Sequence, residues 1–206
     1  MNLSTSIVNS IQCTLKAIYR YGERTHGLKK LDFNVIKFSQ KSKTKEPLTL
    51  EKEMIIWQYC LNNKERISLA MSLGLYAGLR IGEICALKWE DIDLENSMIS
   101  ITKTVQRLKS ENHEQKTQLY ILEPKSTSSI RSVILPDFLT EYLKKYNDLY
   151  NKDFFILSNK EIPVDPRIIQ KNFRKICKAN DIDATFHTLR HTYATNCIKT
   201  NIDVKH

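Results

Sequence analysis

Three short segments carry residue types that can hold and exchange a phosphate ester. Ala77-Gly78-Leu79-Arg80-Ile81-Gly82-Glu83 and His187-Thr188-Leu189-Arg190-His191 each set an arginine among polar groups at the edge of an apolar, helix-like stretch. Glu123-Pro124-Lys125-Ser126 sets a lysine in a turn between two strand-like runs. A guanidinium presents a planar fork of donors that matches phosphate oxygens two at a time, which an ammonium cannot do. Arg80, Arg190, Lys125 and His187 together suit a site that grips a phosphate while its ester bond is exchanged.

Each segment also has a plainer reading. Gly78 permits a sharp turn, and a helix starting beside Arg80 would add backbone N–H groups and its positive end to the pull on an anion. Glu83, one turn on, would hold Arg80 in place; the competing reading is a surface arginine–glutamate pair at a helix end. His187 and Arg190, three residues apart, share a face at a helix start. His187 and His191 at i, i+4 have a zinc-ligand spacing, yet Thr188 stands where a zincin carries Glu and no third ligand is apparent. Arg190 in the same turn would also repel a divalent cation, so no metal is expected. Both histidines could instead cap or pack the helix start. Lys125 at a hairpin tip is ordinarily solubilising, and gains chemical interest only if it reaches a pocket built by the helices.

The elements that must position these residues follow from periodicity. Residues 5–21 read as an amphipathic helix, and residues 22–46 as a polar connection ending in Lys41-Ser42-Lys43-Thr44-Lys45-Glu46-Pro47, a domain boundary. Thr49 is the expected N-cap of a new helix with acids in its first turn. Residues 65–77 form an apolar helix ending near Gly78, and another helix runs from about Ile81 to Lys88. The period then changes to alternation over 98–102, 118–122 and 131–135, which predicts three strands. Helical spacing returns over 137–150, 166–179 and 188–199. The fold class is α+β, mainly α: packed helices with one small antiparallel sheet.

Charge and composition narrow the function. The net charge is +9, and residues 1–45 carry nine Lys or Arg against Glu23 and Asp32, so +7 of it lies there. An isolated basic run is ordinarily a solvated face. Here the cations share a stretch with Ile7, Ile11, Leu15, Ile18 and Tyr19 at helical spacing, which makes a strap for a polyanion. Lys16, Arg20, Arg24, Lys41, Lys43 and Lys45 are the candidate polyanion-binding residues of that strap. The apolar face lacks the Trp and Phe of an interfacial helix, which argues against a membrane partner. Cys13, Cys60, Cys85, Cys177 and Cys197 form no CxxC pair and are odd in number, as expected of thiols in a reducing compartment. No signal-peptide core and no membrane-length apolar run occur, so the expected location is cytoplasmic.

Taken in order, AGLRIGEICALKWEDID (77–93), EPKSTSSIRSVILP (123–136) and FHTLRHTYAT (186–195) resemble the catalytic domain of the tyrosine recombinases, the phage-integrase family of site-specific DNA recombinases. The resemblance covers roughly residues 47–206, and residues 1–46 are similar to the last helices of that family's core-binding domain followed by a basic linker. It implies exchange of a DNA phosphodiester for a 3′-phosphotyrosine, with no cofactor. Arg80 and Arg190 would grip the non-bridging oxygens and stabilise the pentacoordinate transition state. Lys125 would protonate the leaving 5′ oxygen, His187 would assist proton transfer, and Glu83 would orient the site.

The resemblance also implies a nucleophilic tyrosine downstream of the second arginine. Sixteen residues follow Arg190, and their one tyrosine, Tyr193, falls at a packing position of the motif. The expectation is a chain with no nucleophile of its own, inactive alone. The alternative is a non-enzymatic DNA-binding integrase that occupies sites or partners a full-length recombinase. A third reading, from another class, is an unrelated helical protein whose basic strap binds RNA or membrane. The expected partners are double-stranded DNA and further copies, up to a tetramer on DNA, or a full-length recombinase.

Overall fold

A computed structural model describes residues 3–29, 46–110, 116–123, 130–147 and 151–200. The chain divides into two compact units, Met1–Thr44 and Lys45–His206. The first contains one long helix, α1 (Thr5–His26), whose start is capped by Ser4 accepting from the Ile7 amide. Arg20 and Arg24 lie exposed on it and Lys16 is half-buried. Its apolar stripe, Ile7, Ile11, Leu15 and Ile18, is 45–63% exposed, so this helix presents both of its faces. Lys41, Lys43 and Lys45 lie outside the described residues.

The second unit holds six helices among its described residues: α2 (Leu50–Asn62), α3 (Arg66–Tyr76), α4 (Ile81–Ala86), α5 (Asp137–Asn147), α6 (Pro166–Ala179) and α7 (Phe186–Lys199). Helix α3 runs through the middle. Its residues 67–75 are all buried, Ser68 and Ser72 included, as expected of a helix that is largely apolar around its whole circumference. Helices α2 and α7 pack against it. Phe173 meets Phe186 edge to face at 5.5 Å in the core, and at its margin the partly buried Trp57 and Tyr76 and the exposed Phe138 are in mutual contact at 4.9–5.5 Å. Two polar ties fix where the chain enters this unit. The Leu48 amide donates to Thr192 Oγ1 at 2.9 Å, and Asn196 Nδ2 donates to both oxygens of the buried Glu53.

The strands are β1 (Ile92–Asp93), β2 (Met98–Ile101), β3 (Thr104–Lys109), β4 (Thr117–Leu122) and β5 (Arg131–Ile134). All three predicted strands exist and pair antiparallel, but the single expected sheet is two among the described residues. One has the order β1-β2-β5, with Ile99 opposite Val133; the other is the hairpin β3-β4, with Val105 opposite Ile121. The division follows from burial. Ile99, Ile101 and Val133 reach the core, whereas the hairpin buries only Val105 at its base and is exposed towards its tip. Thr49 stands at the N-cap position of α2, but its side chain caps nothing; the helix starts on its carbonyl, which accepts from the Glu53 amide.

Candidate functional site

The site begins at a turn. Helix α3 ends at Ala77, and Gly78 follows with φ 64°, in the left-handed region. A Cβ at Gly78 would meet the Tyr193 ring at 2.3 Å, so conformation and space both require glycine there. The turn delivers Arg80 to the N-cap of α4. Gly82, inside that helix, lies so close to β3 that a Cβ would meet Thr104 Oγ1 at 2.6 Å and the Val105 carbonyl at 2.8 Å. Helix α4 is thereby seated on the base of the hairpin.

Glu83 holds Arg80, as its position one turn on predicts. Arg80 donates its amide to Glu83 Oε2 at 2.8 Å and its Nη1 to Oε1 at 2.9 Å. The carboxylate therefore takes up the Arg80 amide at the N-cap of α4, a helix of only six residues. Glu83 is buried, and it has a second partner that sequence reasoning missed. Arg131, at the start of β5, donates Nη1 to Oε1 at 3.1 Å and Nη2 to Oε2 at 2.9 Å. Burial pushes the Glu83 carboxyl up, but the hydrogen bonds from Arg131 and from the amide and guanidinium of Arg80 outweigh it, and the net shift is below the usual value. A signal for Arg131 was present: in the alternation of 131–135 it shares the inward face with the buried Val133 and Leu135, and a charge on that face needs a partner.

Helix α7 supplies the opposite wall. The hydroxyl of buried Thr188 accepts from the Thr185 amide at 3.0 Å, so the residue that departs from a zincin pattern caps the helix. His187 and Arg190 line the same cleft as Arg80. Arg190 Nη1 donates to the Gly78 carbonyl, tying α7 to the turn that carries Arg80. His187 and His191 meet edge to face at 4.4 Å, and among the described residues no group of three potential ligands could hold a metal ion. Burial, then the charges of His191, Arg190 and Arg80, hold the His187 ring below its ordinary value, so it is neutral and able to accept a proton at pH 7. Burial, then Arg80, also lowers the proton affinity of Arg190. Cations brought together in this way favour the arrival of an anion.

The cleft has a volume of about 490 Å³. Beyond Arg80, His187 and Arg190 it is lined by Thr104 and Gln106 of β3 and by Gln170 and Arg174 of α6, none of which the sequence singled out. Helix α6 is positioned by Asp165, which caps it by accepting from the Arg167 amide at 2.9 Å. Asp165 also accepts from Arg107 Nε at 2.9 Å, which fastens the hairpin to α6. Asp165-Pro166 is itself a legible start signal, with the proline at the first helical position. Lys125 lies outside the described residues. Tyr193 does not line the cleft: its ring packs on Gly78, and burial, with a hydrogen bond to Cys197, pushes its phenol up to about 12.

Comparison with known proteins gives the family and the fold. The chain is 32% identical over 157 residues to a tyrosine recombinase of Thermosipho africanus, covering 75% of this chain and 48% of that protein. It is 29% identical over 176 residues to transposase A from transposon Tn554 of Staphylococcus aureus, covering 83% of this chain and 46% of that protein. It thus spans about half the length of these curated relatives. Among solved structures, the Tn1549 transposon integrase in complex with transposon right end DNA superposes with a TM-score of 0.82 at 21% identity, a likeness of fold, covering 98% of this chain and 69% of that one. The XerA recombinase matches with a TM-score of 0.58 at 25% identity, over 77% of this chain and 52% of that one. The model of the phage integrase family runs from residue 47 to residue 206 and takes in every residue that lines the cleft, and the chain belongs to that family.

Proposed function

We propose that the cleft holds a phosphodiester of double-stranded DNA, and that the chain serves site-specific recombination by strand cleavage and rejoining. The observation that carries this reading is the meeting of Arg80 and Arg190, from elements far apart in sequence, beside a neutral His187. Two guanidinium forks can bind the non-bridging oxygens and stabilise the charge that grows as the phosphorus becomes pentacoordinate. Neutral His187 can take up or pass on a proton. Lys125, placed by the family motif, would protonate the leaving 5′ oxygen. Helix α6 carries Arg167, Lys171, Arg174, Lys175 and Lys178 exposed, with Arg174 reaching the cleft, so a duplex seated there would run along this helix. Lys16, Arg20 and Arg24 of α1, and Lys41, Lys43 and Lys45, would add a second set of phosphate contacts from a segment akin to the family's core-binding domain. A DNA partner and free thiols agree with a cytoplasmic location.

A second reading, a DNA-binding integrase acting with a full-length recombinase, is favoured by one observation: among the described residues no tyrosine lines the cleft. One experiment addresses both readings. The chain, Arg80→Ala and Arg190→Ala are incubated with a duplex carrying 5′-bridging phosphorothiolates, whose leaving group departs without protonation, and binding is measured in parallel. Each substitution is expected to weaken binding roughly 10- to 100-fold, the value of a charge-assisted contact. Unchanged binding in both overturns the phosphate assignment. A covalent adduct mapped to Tyr193 overturns its assignment as a packing residue.

A further inference from the structure

We propose that Arg131 is a positioning residue of the phosphate site: it is the buried counter-cation of Glu83, and it leaves the charge of Arg80 available to the DNA. The inference rests on the proposed role of Arg80 and extends it to a residue that lines no part of the cleft.

Glu83 sits between two guanidiniums of very different exposure. The Arg131 side chain is 10% exposed and engages both carboxylate oxygens through its paired nitrogens. The Arg80 side chain is 57% exposed and shares one oxygen through a single nitrogen, its amide taking the other. Four donors therefore fill the carboxylate, and the charge of the triad is one positive unit. Because Arg131 and Glu83 are both buried, they cancel each other in the interior, where opposite charges couple strongly. The remaining positive charge belongs to Arg80, the member of the triad that faces the cleft.

Without Arg131, Glu83 would keep a single guanidinium partner among the described residues. The full negative charge would then fall on Arg80, which would be drawn onto the carboxylate and neutralised as a phosphate ligand. The pairing also spans elements: Arg131 opens β5, Glu83 lies in α4 and Arg80 caps it, so the sheet β1-β2-β5 holds the arginine in place through the carboxylate.

The test measures affinity of the whole chain for duplex DNA as a function of salt, with folding checked by circular dichroism. Arg131→Met is expected to weaken binding on the order of 10-fold, one charge-assisted contact, and to make the salt slope shallower by about 0.9. The same substitution in an Arg80→Ala background is expected to cost nothing further, because the charge it protects has gone. Adding Glu83→Gln to Arg131→Met is expected to restore most of the lost affinity, since no carboxylate is left to claim Arg80. A purely structural Arg131 would give the opposite, the second substitution compounding the first. If Arg131→Met does not fold, Arg131→Lys carries the test: it keeps a cation against Glu83, and affinity near that of the unaltered chain is expected. A loss in Arg131→Lys equal to that of Arg80→Ala overturns the proposal. A loss in Arg80→Ala with none in Arg131→Met overturns the proposal alone. Unchanged binding in Arg80→Ala overturns the phosphate reading, and the proposal with it.

Discussion

At the scale of single residues, the site is a balance of charge. Arg80, Arg131 and Arg190 stand close enough to oppose one another, and one buried carboxylate offsets them. That predicts a particular acid sensitivity. Glu83 has its carboxyl held below the usual range in the folded chain, so its contribution to stability is present above the ordinary carboxylate value and is lost as pH falls through the lowered one. Denaturation midpoints between neutral pH and the acid range are therefore expected to fall more steeply for the unaltered chain than for Glu83→Gln; equal slopes would count against the triad. The arginines and His187 could be found from the sequence because motif and chemistry coincide at those positions. Arg131 is harder to see, since its role depends on a carboxylate 48 positions away in the chain. Arg174 and Gln170 leave no local signal, because what makes them cleft residues is the placement of a whole helix.

At the scale of elements, two close approaches hold the site together. Gly78 combines a left-handed backbone with the Tyr193 ring pressed against it, so Gly78→Ala is expected to destabilise the unit by about 1–3 kcal/mol in chemical denaturation. It should weaken DNA binding as well, because the same turn accepts from Arg190 and delivers Arg80. Asp165 caps α6 and also pairs with Arg107 of the hairpin. Asp165→Ala is expected to cost about 1–2 kcal/mol, most of it from the lost cap. The helices were legible because their periods are long and their stops are marked, as with Gly78 and Asp165-Pro166. The sheets were only partly so. Alternation identifies strands over 98–102, 118–122 and 131–135, within a residue of β2, β4 and β5 at each end, but it carries no information on which strand pairs with which, and β1 has only two residues. The hairpin separates from the larger sheet because Val105 is its one fully buried position, a consequence of tertiary packing and not of pattern.

At the scale of the whole molecule, the basic residues concentrate in two segments, residues 1–45 with a net +7 and α6 with five Lys or Arg and no acid. No helix among the described residues is long and apolar enough to cross a membrane. Binding to duplex DNA is expected to weaken linearly in log–log form as salt rises, with a slope near −0.9 for each phosphate neutralised. Replacing Lys16, Arg20 and Arg24 together with Gln should make that slope shallower while leaving the response to Arg80→Ala unchanged; an unchanged slope would remove α1 from the interface.

The most direct measurement of the central claim is guanidinium 15N NMR of the intact chain titrated with duplex DNA, together with the pH midpoint of His187. The phosphate reading predicts that the Arg80 and Arg190 resonances move together as DNA is added. It also predicts that the His187 midpoint starts below the ordinary imidazole value and rises once an anion lies beside it. Arginine resonances of the cleft that stay in place while DNA binds elsewhere on the chain would contradict it.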